Sequence, residues 1–567
     1  MKKRMSAGLL VTLLFLIACR ENPESVLFYN GRIITVNGSV PRAEAVLVED
    51  GIIAAVGSSD VLLAEARPGS EKIDLQGAVL VPGFIDGHSH FSQYISILTI
   101  AQLEGCTSFD EIVSRLDTYA RENPDTKEGW IIGFGYDNNS LKERQHPTRE
   151  LLDRVSTDRP IIITHASGHM GVFNTKALEV FGVTAKTPVP EGGFIGRDEK
   201  GNPTGYMEET AFLGYAARVP ATETDTVALF RKAQQLYLSQ GITTVQDSLL
   251  KEKEYTLLAE AADKGALTVD VVGYVDLKNA PDLAQAYPER LGKYRNRFKV
   301  DGYKIFLDGS PQGRTAWLSE PYLPVPGAVS GSEADPSYCG YPTDNDETVT
   351  AFARTAALQG LPLQAHCNGD AAADQLIRAY RTLKAEGIED FHRPVMIHSQ
   401  IVRPEQFAEL AELGITAGMF PAHIYYWGDV HLKNLGKERG SHVSAMKTAS
   451  ESGVLFTIHQ DSPVIRPNMI ESLWCAVVRQ TRSGAVIAPE ERISPAEALK
   501  AMTLSAAVQI GEGDSKGSVE PGKRADFAVL DDDPLTVAPD DIRRIRVLRT
   551  VKDGKTVYTA APDSPGP

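Results

Sequence analysis

The stretch Val79-Leu80-Val81-Pro82-Gly83-Phe84-Ile85-Asp86-Gly87-His88-Ser89-His90 decides the fold. An apolar run, rich in β-formers, ends in two histidines one residue apart. In a strand, side chains two apart fall on one face, so His88 and His90 would point the same way and could grip one metal ion. An HxH pair on its own also arises by chance in loops. Recurrence argues against chance here, because further strand-like runs downstream end in Lys304, His366, His398 and Asp461.

Strand-then-helix alternation fills the middle of the chain and predicts a parallel sheet with covering helices. Eight inner strands are expected: Phe84 to His90, Thr243 to Ser248, Val269 to Val275, Tyr303 to Gly309, Leu363 to His366, Val395 to Ser399, Thr416 to Phe420, and Leu455 to Asp461. Eight is the number a (β/α)8 TIM barrel requires, and barrels place their chemistry at the carboxyl ends of strands. Four histidines, a lysine and an acid at such ends are hard to explain as core packing, because buried polar groups cost free energy unless paired or ligated. The stretch from about 100 to 235 is too long for one connection and reads as an insertion after barrel strand 1.

Both ends of the mature chain carry β-branched runs, broken at Asn30-Gly31 and Asp50-Gly51 near the start and recurring from Arg524 to Leu530 and Val547 to Tyr558. They read as hairpins of one small β-sandwich built from both chain ends. The expected order is a leader over 1–18, sandwich over 19–80, barrel domain over 81–505, sandwich over 506–560 and a Pro-rich tail over 561–567.

The opening Met1-Lys2-Lys3-Arg4, the apolar stretch to Ala18, and Leu16-Ile17-Ala18-Cys19 have the pattern of an export signal. The cysteine resembles a lipobox, so Cys19 is the expected lipidation site of an exported bacterial lipoprotein. The open alternatives are a plain signal peptide and a stubby membrane anchor, and the apolar stretch is short for a span. Arg20, not aspartate, leans towards the periplasmic side of the outer membrane rather than the inner one. The 567-residue chain has a formal charge of −16, and losing Lys2, Lys3 and Arg4 with the leader moves it to −19. So acidic a surface repels phosphate backbones and argues against nucleic acid as a partner. Of five cysteines, none forms a CxxC pair, so neither a zinc ribbon nor a disulfide framework is indicated, though a single bridge stays open.

With these residues in place, the chain resembles the amidohydrolase superfamily, specifically the family-3 branch that includes N-substituted formamide deformylases. The resemblance rests on PGFIDGHSHF (82–91), SGHMGVFNTKAL (167–178), GYKIFLDGS (302–310), QAHCNGDAA (364–372) and PGKRADFAVLDDDP (521–534). It implies that His88 and His90 hold one divalent metal, zinc by ligand type, and that His366 and His398 hold a second. Lys304, carboxylated by carbon dioxide, would bridge the two. Asp461 would contact the first metal and serve as general base, and His169 would touch substrate or tie down the lid. One or two ions are compatible with the sequence. Lys304 could instead be a cation that binds substrate, or one paired with Asp308. Arg314 and Trp317, in the loop after Lys304, are candidate pocket-wall residues.

The expected activity is hydrolysis of a carbon–nitrogen bond, amide or formamide, in a small molecule by metal-activated hydroxide. Within enzymes the alternative is a cyclic amide, ester or lactone. From another class comes a metal- or solute-binding lipoprotein without turnover, which would have no need of Asp461 as a base. Oligomeric state stays open.

Overall fold

The eight expected runs form one parallel sheet in the computed structural model. Its strands are Phe84–Asp86, Ile242–Leu250, Asp270–Asp276, Phe298–Phe306, Leu363–Cys367, Val395–His398, Thr416–Met419 and Phe456–Ile458, each beside the next in chain order. First and last strands meet just past their ends, where Asp461 N donates to His88 O at 3.0 Å and His90 N to Ser462 O at 2.8 Å. The ring is a TIM barrel. Helices such as Glu252–Asp263, Asp346–Leu358, Asp370–Ala385 and Pro404–Glu412 cover it and bury Leu258, Val349, Leu376 and Phe407 against it. The described residues are 24–124, 129–168, 170–190, 193–220, 225–325 and 335–561. The leader over 1–18, Cys19, His169 and residues 562–567 of the tail lie outside them. Among the described residues no helix is long and apolar enough to cross a membrane. Cys106, Cys339, Cys367 and Cys475 are unbridged.

The insertion carries its own six-stranded sheet, running from Ala101–Gln102 to Pro203–Glu208, over two small apolar cores. The helix Thr226–Ser239, most of which falls within the stretch expected as insertion, belongs to the barrel instead: Phe230, Tyr237 and Leu238 sit in the main core, with Tyr237 edge-on to Phe91. The boundary drawn at 505 likewise falls inside a helix, Leu504–Gln509, whose Ala506 and Ala507 pack under Ile85 and Tyr274.

The sandwich draws one sheet from the N-terminal part alone (Ile52–Gly57, Ala45–Glu49, Ser25–Tyr29, Glu71–Asp74). Its other sheet comes from both ends, with Phe527–Leu530 between Val547–Lys552 and Val79–Pro82. Asp50-Gly51 makes the expected tight hairpin, with φ 48° and 78°. Asn30-Gly31 does not. Ser25–Tyr29 and Arg32–Ile34 enter different sheets there. A two-residue hairpin of this type needs positive φ at both residues, and only Asn30 has it, at 56°. A side chain at 31 would also meet Leu75, so the glycine serves the crossing between sheets.

Beneath the barrel, at the amino ends of its strands, a buried ion cluster ties it to the sandwich. Lys552 Nζ reaches Asp270 and Asp526, each at 2.6 Å, and Lys516 Nζ reaches Asp270 and Glu512, each at 2.7 Å.

Candidate metal centre

At the opposite, carboxyl-terminal face the first strand stops at Asp86, and Gly87 passes so close to the eighth strand that a Cβ would lie 3.0 Å from Ile458 O. His88 and His90 therefore stand in a bend past the strand, and strand alternation is not what aligns them. Ser248, near the end of the second strand, aligns both. Its backbone carbonyl accepts from His90 Nδ1 at 3.0 Å. Its Oγ donates to Gln364 Oε1 at 3.0 Å and so accepts from His88 Nδ1, also at 3.0 Å. Gln364 is fixed in turn by donating to Gln246 Oε1 at 2.6 Å. Each histidine thus carries a proton on Nδ1 and turns Nε2 inward; burial leaves His88 Nε2 bare, whereas for His90 the pull of burial is outweighed by Asp461, which raises its pKa.

The other two histidines are set by the same logic. His366 Nε2 donates to Gly309 O at 3.0 Å, which bares Nδ1. His398 Nδ1 lies 3.1 Å from His459 Nε2, whose ring keeps its other nitrogen buried and without a partner among the described residues. The bare His366 Nδ1 and the His398 Nε2 face each other at 3.0 Å. Without a metal, a proton on His398 Nε2 bridges the two; moved to Nδ1, where His459 Nε2 can accept it, it frees both inward lone pairs for a cation. Burial and neighbouring positive charge hold His88 and His398 well below the usual histidine range, and His366 falls to about 3, so these three rings are neutral.

Asp461 supplies the negative charge. Burial raises its pKa, but His90 first, then His459 and Lys304, together outweigh that and hold it below the ordinary value. Its Oδ1 lies 3.2 Å from His90 Nε2 and 3.4 Å from His88 Nε2, buried and without a hydrogen-bond partner among the described residues. Ligand atoms of His88, His398 and Asp461 all lie within 4.8 Å of one another. An orphaned carboxylate oxygen amid imidazole nitrogens fits a divalent cation of the zinc type, which takes nitrogen and oxygen ligands. His398 and Asp461 hold φ at 76° and 56°. Non-glycine residues in that region each store on the order of 1–3 kcal/mol, a cost typical of functional sites.

Lys304, in the fourth strand, is buried with Nζ 3.3 Å from His88 Nε2. Burial lowers its pKa to about 7, with Asp461 pulling the other way. Asp308 is engaged elsewhere, accepting from the backbone nitrogens of Trp317, Asn368 and Gly369 at 3.0, 2.9 and 2.7 Å. That leaves Lys304 facing the histidines.

Arg314 is placed otherwise than expected. Its guanidinium donates to Leu323 O at 2.9 Å and Asn434 Oδ1 at 3.4 Å and lies over the Tyr322 ring, which makes it a clamp on its own loop. Trp317 is half-buried beside the main core, a position suited to a wall. His165 bonds Ser167 Oγ at 2.9 Å inside the insertion. A cavity of about 660 Å³ opens between Leu318, Ile401, Leu435 and Ala445, and none of the centre's residues line it. Sequence reasoning missed Ser248 and Gln364, whose types carry no metal signal, and His423, which stands just past the seventh strand and answers to the same strand-end rule.

Comparison with known proteins agrees with this geometry. The model of the amidohydrolase family matches residues 71–558. The N-substituted formamide deformylase of Arthrobacter pascens is 30% identical over 549 residues, covering 94% of this chain and 98% of that protein. The putative amidohydrolase YtcJ of Bacillus subtilis is 28% identical, covering 94% and 99%. Among solved structures, an uncharacterized metal-dependent hydrolase from Pyrococcus furiosus superimposes with a TM-score of 0.69 at 28% identity, covering 90% of this chain and all of that one.

Proposed function

The chain belongs to the amidohydrolase family and is a metal-dependent hydrolase of carbon–nitrogen bonds; on that premise we propose that it removes a small acyl group, formyl foremost, from an N-substituted amine. The observation that carries this reading is Asp461 Oδ1, a buried, anionic, unbonded oxygen among imidazole nitrogens. His88, His90 and Asp461 would hold one divalent ion, zinc by donor type, and His366 and His398 a second. Lys304 would join the two after its neutral amine adds carbon dioxide and releases a proton. A lysine brought to about 7 by burial has that neutral amine available near neutral pH. Bound there, the metal supplies Lewis acidity for the carbonyl and acidifies water.

Asp461 does the proton work. It takes a proton from the attacking water and returns it to the departing nitrogen, so amide and water become carboxylic acid and amine. Ser248, Gly309 and His459 hold the imidazoles in the tautomers that this arrangement needs. The half-buried Trp317 fits a wall for the amine substituent, and His169 is proposed to contact the acyl group. The lipobox-like Leu16–Cys19 supports export and anchoring through a lipidated Cys19 on the periplasmic side of the outer membrane.

Metal analysis of the purified protein, with turnover of N-benzylformamide, N-benzylacetamide, a cyclic amide and a lactone, tests the reading. Zinc-dependent release of benzylamine supports it. Turnover of the lactone alone would overturn it.

A further inference from the structure

Two histidines outside the centre are paired with each other. His423 follows the seventh barrel strand through Phe420-Pro421-Ala422 and lies in the first turn of helix Ala422–Ser441, while His431 sits two turns further on. Their rings stack within 9° of parallel, and His423 Nδ1 lies 3.0 Å from His431 Nε2. His431 is fully buried, and its Nδ1 has no hydrogen-bond partner among the described residues. An orphaned buried N–H costs more than an orphaned lone pair. His431 therefore keeps its proton on Nε2 and donates to His423 Nδ1. His423 is left with its proton on Nε2, and no protein acceptor for that N–H occurs among the described residues.

The location gives this N–H a use. The Phe420 ring packs on His423 at 4.9 Å, on His459 at 5.3 Å and on His398 at 6.4 Å, so His423 stands one ring away from the centre. Burial first, then the charges of His431, His459 and His366, hold its pKa well below the ordinary value, so the imidazole is neutral. Trp427, 4.5 Å away, flanks it with apolar surface. A neutral donor in such surroundings suits a neutral oxygen.

We propose that His423 Nε2–H donates a hydrogen bond to the carbonyl oxygen of the substrate amide, and that His431 is the positioning residue that fixes the tautomer which makes this donor. The identity of the substrate, though not the tautomer, rests on the carbon–nitrogen hydrolase reading.

The test uses holoenzyme of verified metal content. Long-range proton–nitrogen correlation of histidine-labelled protein reads the tautomer directly, with Nε2–H expected at His423. His423→Leu should lower kcat/KM for N-benzylformamide about tenfold and weaken binding of the unreactive benzylurea similarly, with metal content unchanged. His431→Leu should cost part of the same loss. His431→Gln, whose amide can still donate to His423 Nδ1, should restore it. An Nδ1–H tautomer at His423, or kcat/KM and benzylurea affinity within twofold of wild type in His423→Leu, would overturn the proposal. If wild-type protein neither turns over N-benzylformamide nor binds benzylurea, the proposed function fails, and the tautomer still decides whether His423 presents a donor.

Discussion

Replacing Ser248 by alanine separates two quantities that the structure places on one hydroxyl. The Oγ accepts from His88 Nδ1 and donates to Gln364 Oε1, both at 3.0 Å, and Ser248 is 1% exposed, so bulk water does not take its place. With a metal bound as proposed, His88 would keep its proton on Nδ1 so that Nε2 could serve as a ligand, and the variant would then bury an N–H with no acceptor. In the metal-free state His88 can move that proton to Nε2 and leave a bare lone pair on Nδ1, which costs less. The penalty thus falls on the bound state. Losing such a partner typically costs about 10–100-fold in metal affinity, equivalent to about 1.4–2.7 kcal/mol. Gln364 Oε1 is orphaned in both states, which should lower metal-free stability by about 1–3 kcal/mol. The His90 contact, made to the Ser248 backbone, survives. Chelator competition measures the first quantity and denaturation of metal-free protein the second. Affinity within twofold of wild type, alongside lowered metal-free stability, would show that Ser248 only packs and would refute the tautomer argument.

Further outcomes follow from the same structure. Lys304→Ala should lose metal and activity, with partial recovery on adding zinc and a short carboxylic acid that occupies the vacated place; full metal occupancy in the variant would remove the bridge. Lys552→Met should destabilise the fold by about 3 kcal/mol, because it strips Asp526 and Asp270 of a buried partner, as measured by chemical denaturation. Burial raises Asp270, but Lys516 and Lys552 overcome it and depress its pKa, so its contribution is present above the unfolded value near ~3.9 and lost as pH falls below that. Burial lowers Lys516, but Asp270 and Glu512 overcome it and raise its pKa, so its contribution is full below the unfolded value near ~10.4 and lost as pH climbs through the folded one. Denaturation across pH should therefore show a plateau between those limits, with both edges weakened in Lys552→Met. Cys19→Ala should move the protein from membrane to soluble fractions without loss of activity, since one acyl chain binds only marginally and lipoprotein anchoring needs several; unchanged partitioning would count against lipidation.

The barrel was legible because its inner strands are buried on both faces and so read as short, largely apolar runs between helical texts. The Asp50-Gly51 turn was legible for a local reason, since two residues that tolerate positive φ specify a hairpin by themselves. Asn30-Gly31 has the same letters, yet packing against Leu75 and pairing with strands far along the chain turned it into a crossing between sheets. Local chemistry could not choose between the two. The boundary at 505 failed similarly, because Ala506 and Ala507 have the composition of any helix, and only their contact with Ile85 and Tyr274 assigns them to the barrel.

In the site, the residues that announce themselves are those whose side chains are costly to bury, while the residues that aim them are ordinary serines and glutamines. His88 and His90 illustrate the difference. Their spacing suggested a strand face, but the first strand ends at Asp86, and a bend with two bonds from Ser248 does the aligning. That bend is also where the barrel closes, since His88 O and His90 N bond the chain on either side of Asp461. Placement of the proposed ligands and ring closure therefore share one set of hydrogen bonds, and the left-handed backbone of Asp461 is held by the same pairing. A metal entering such a site meets nitrogens and a carboxylate already aimed by the fold. Its affinity should depend on the bonds that set tautomers more than on the cost of organising the loop.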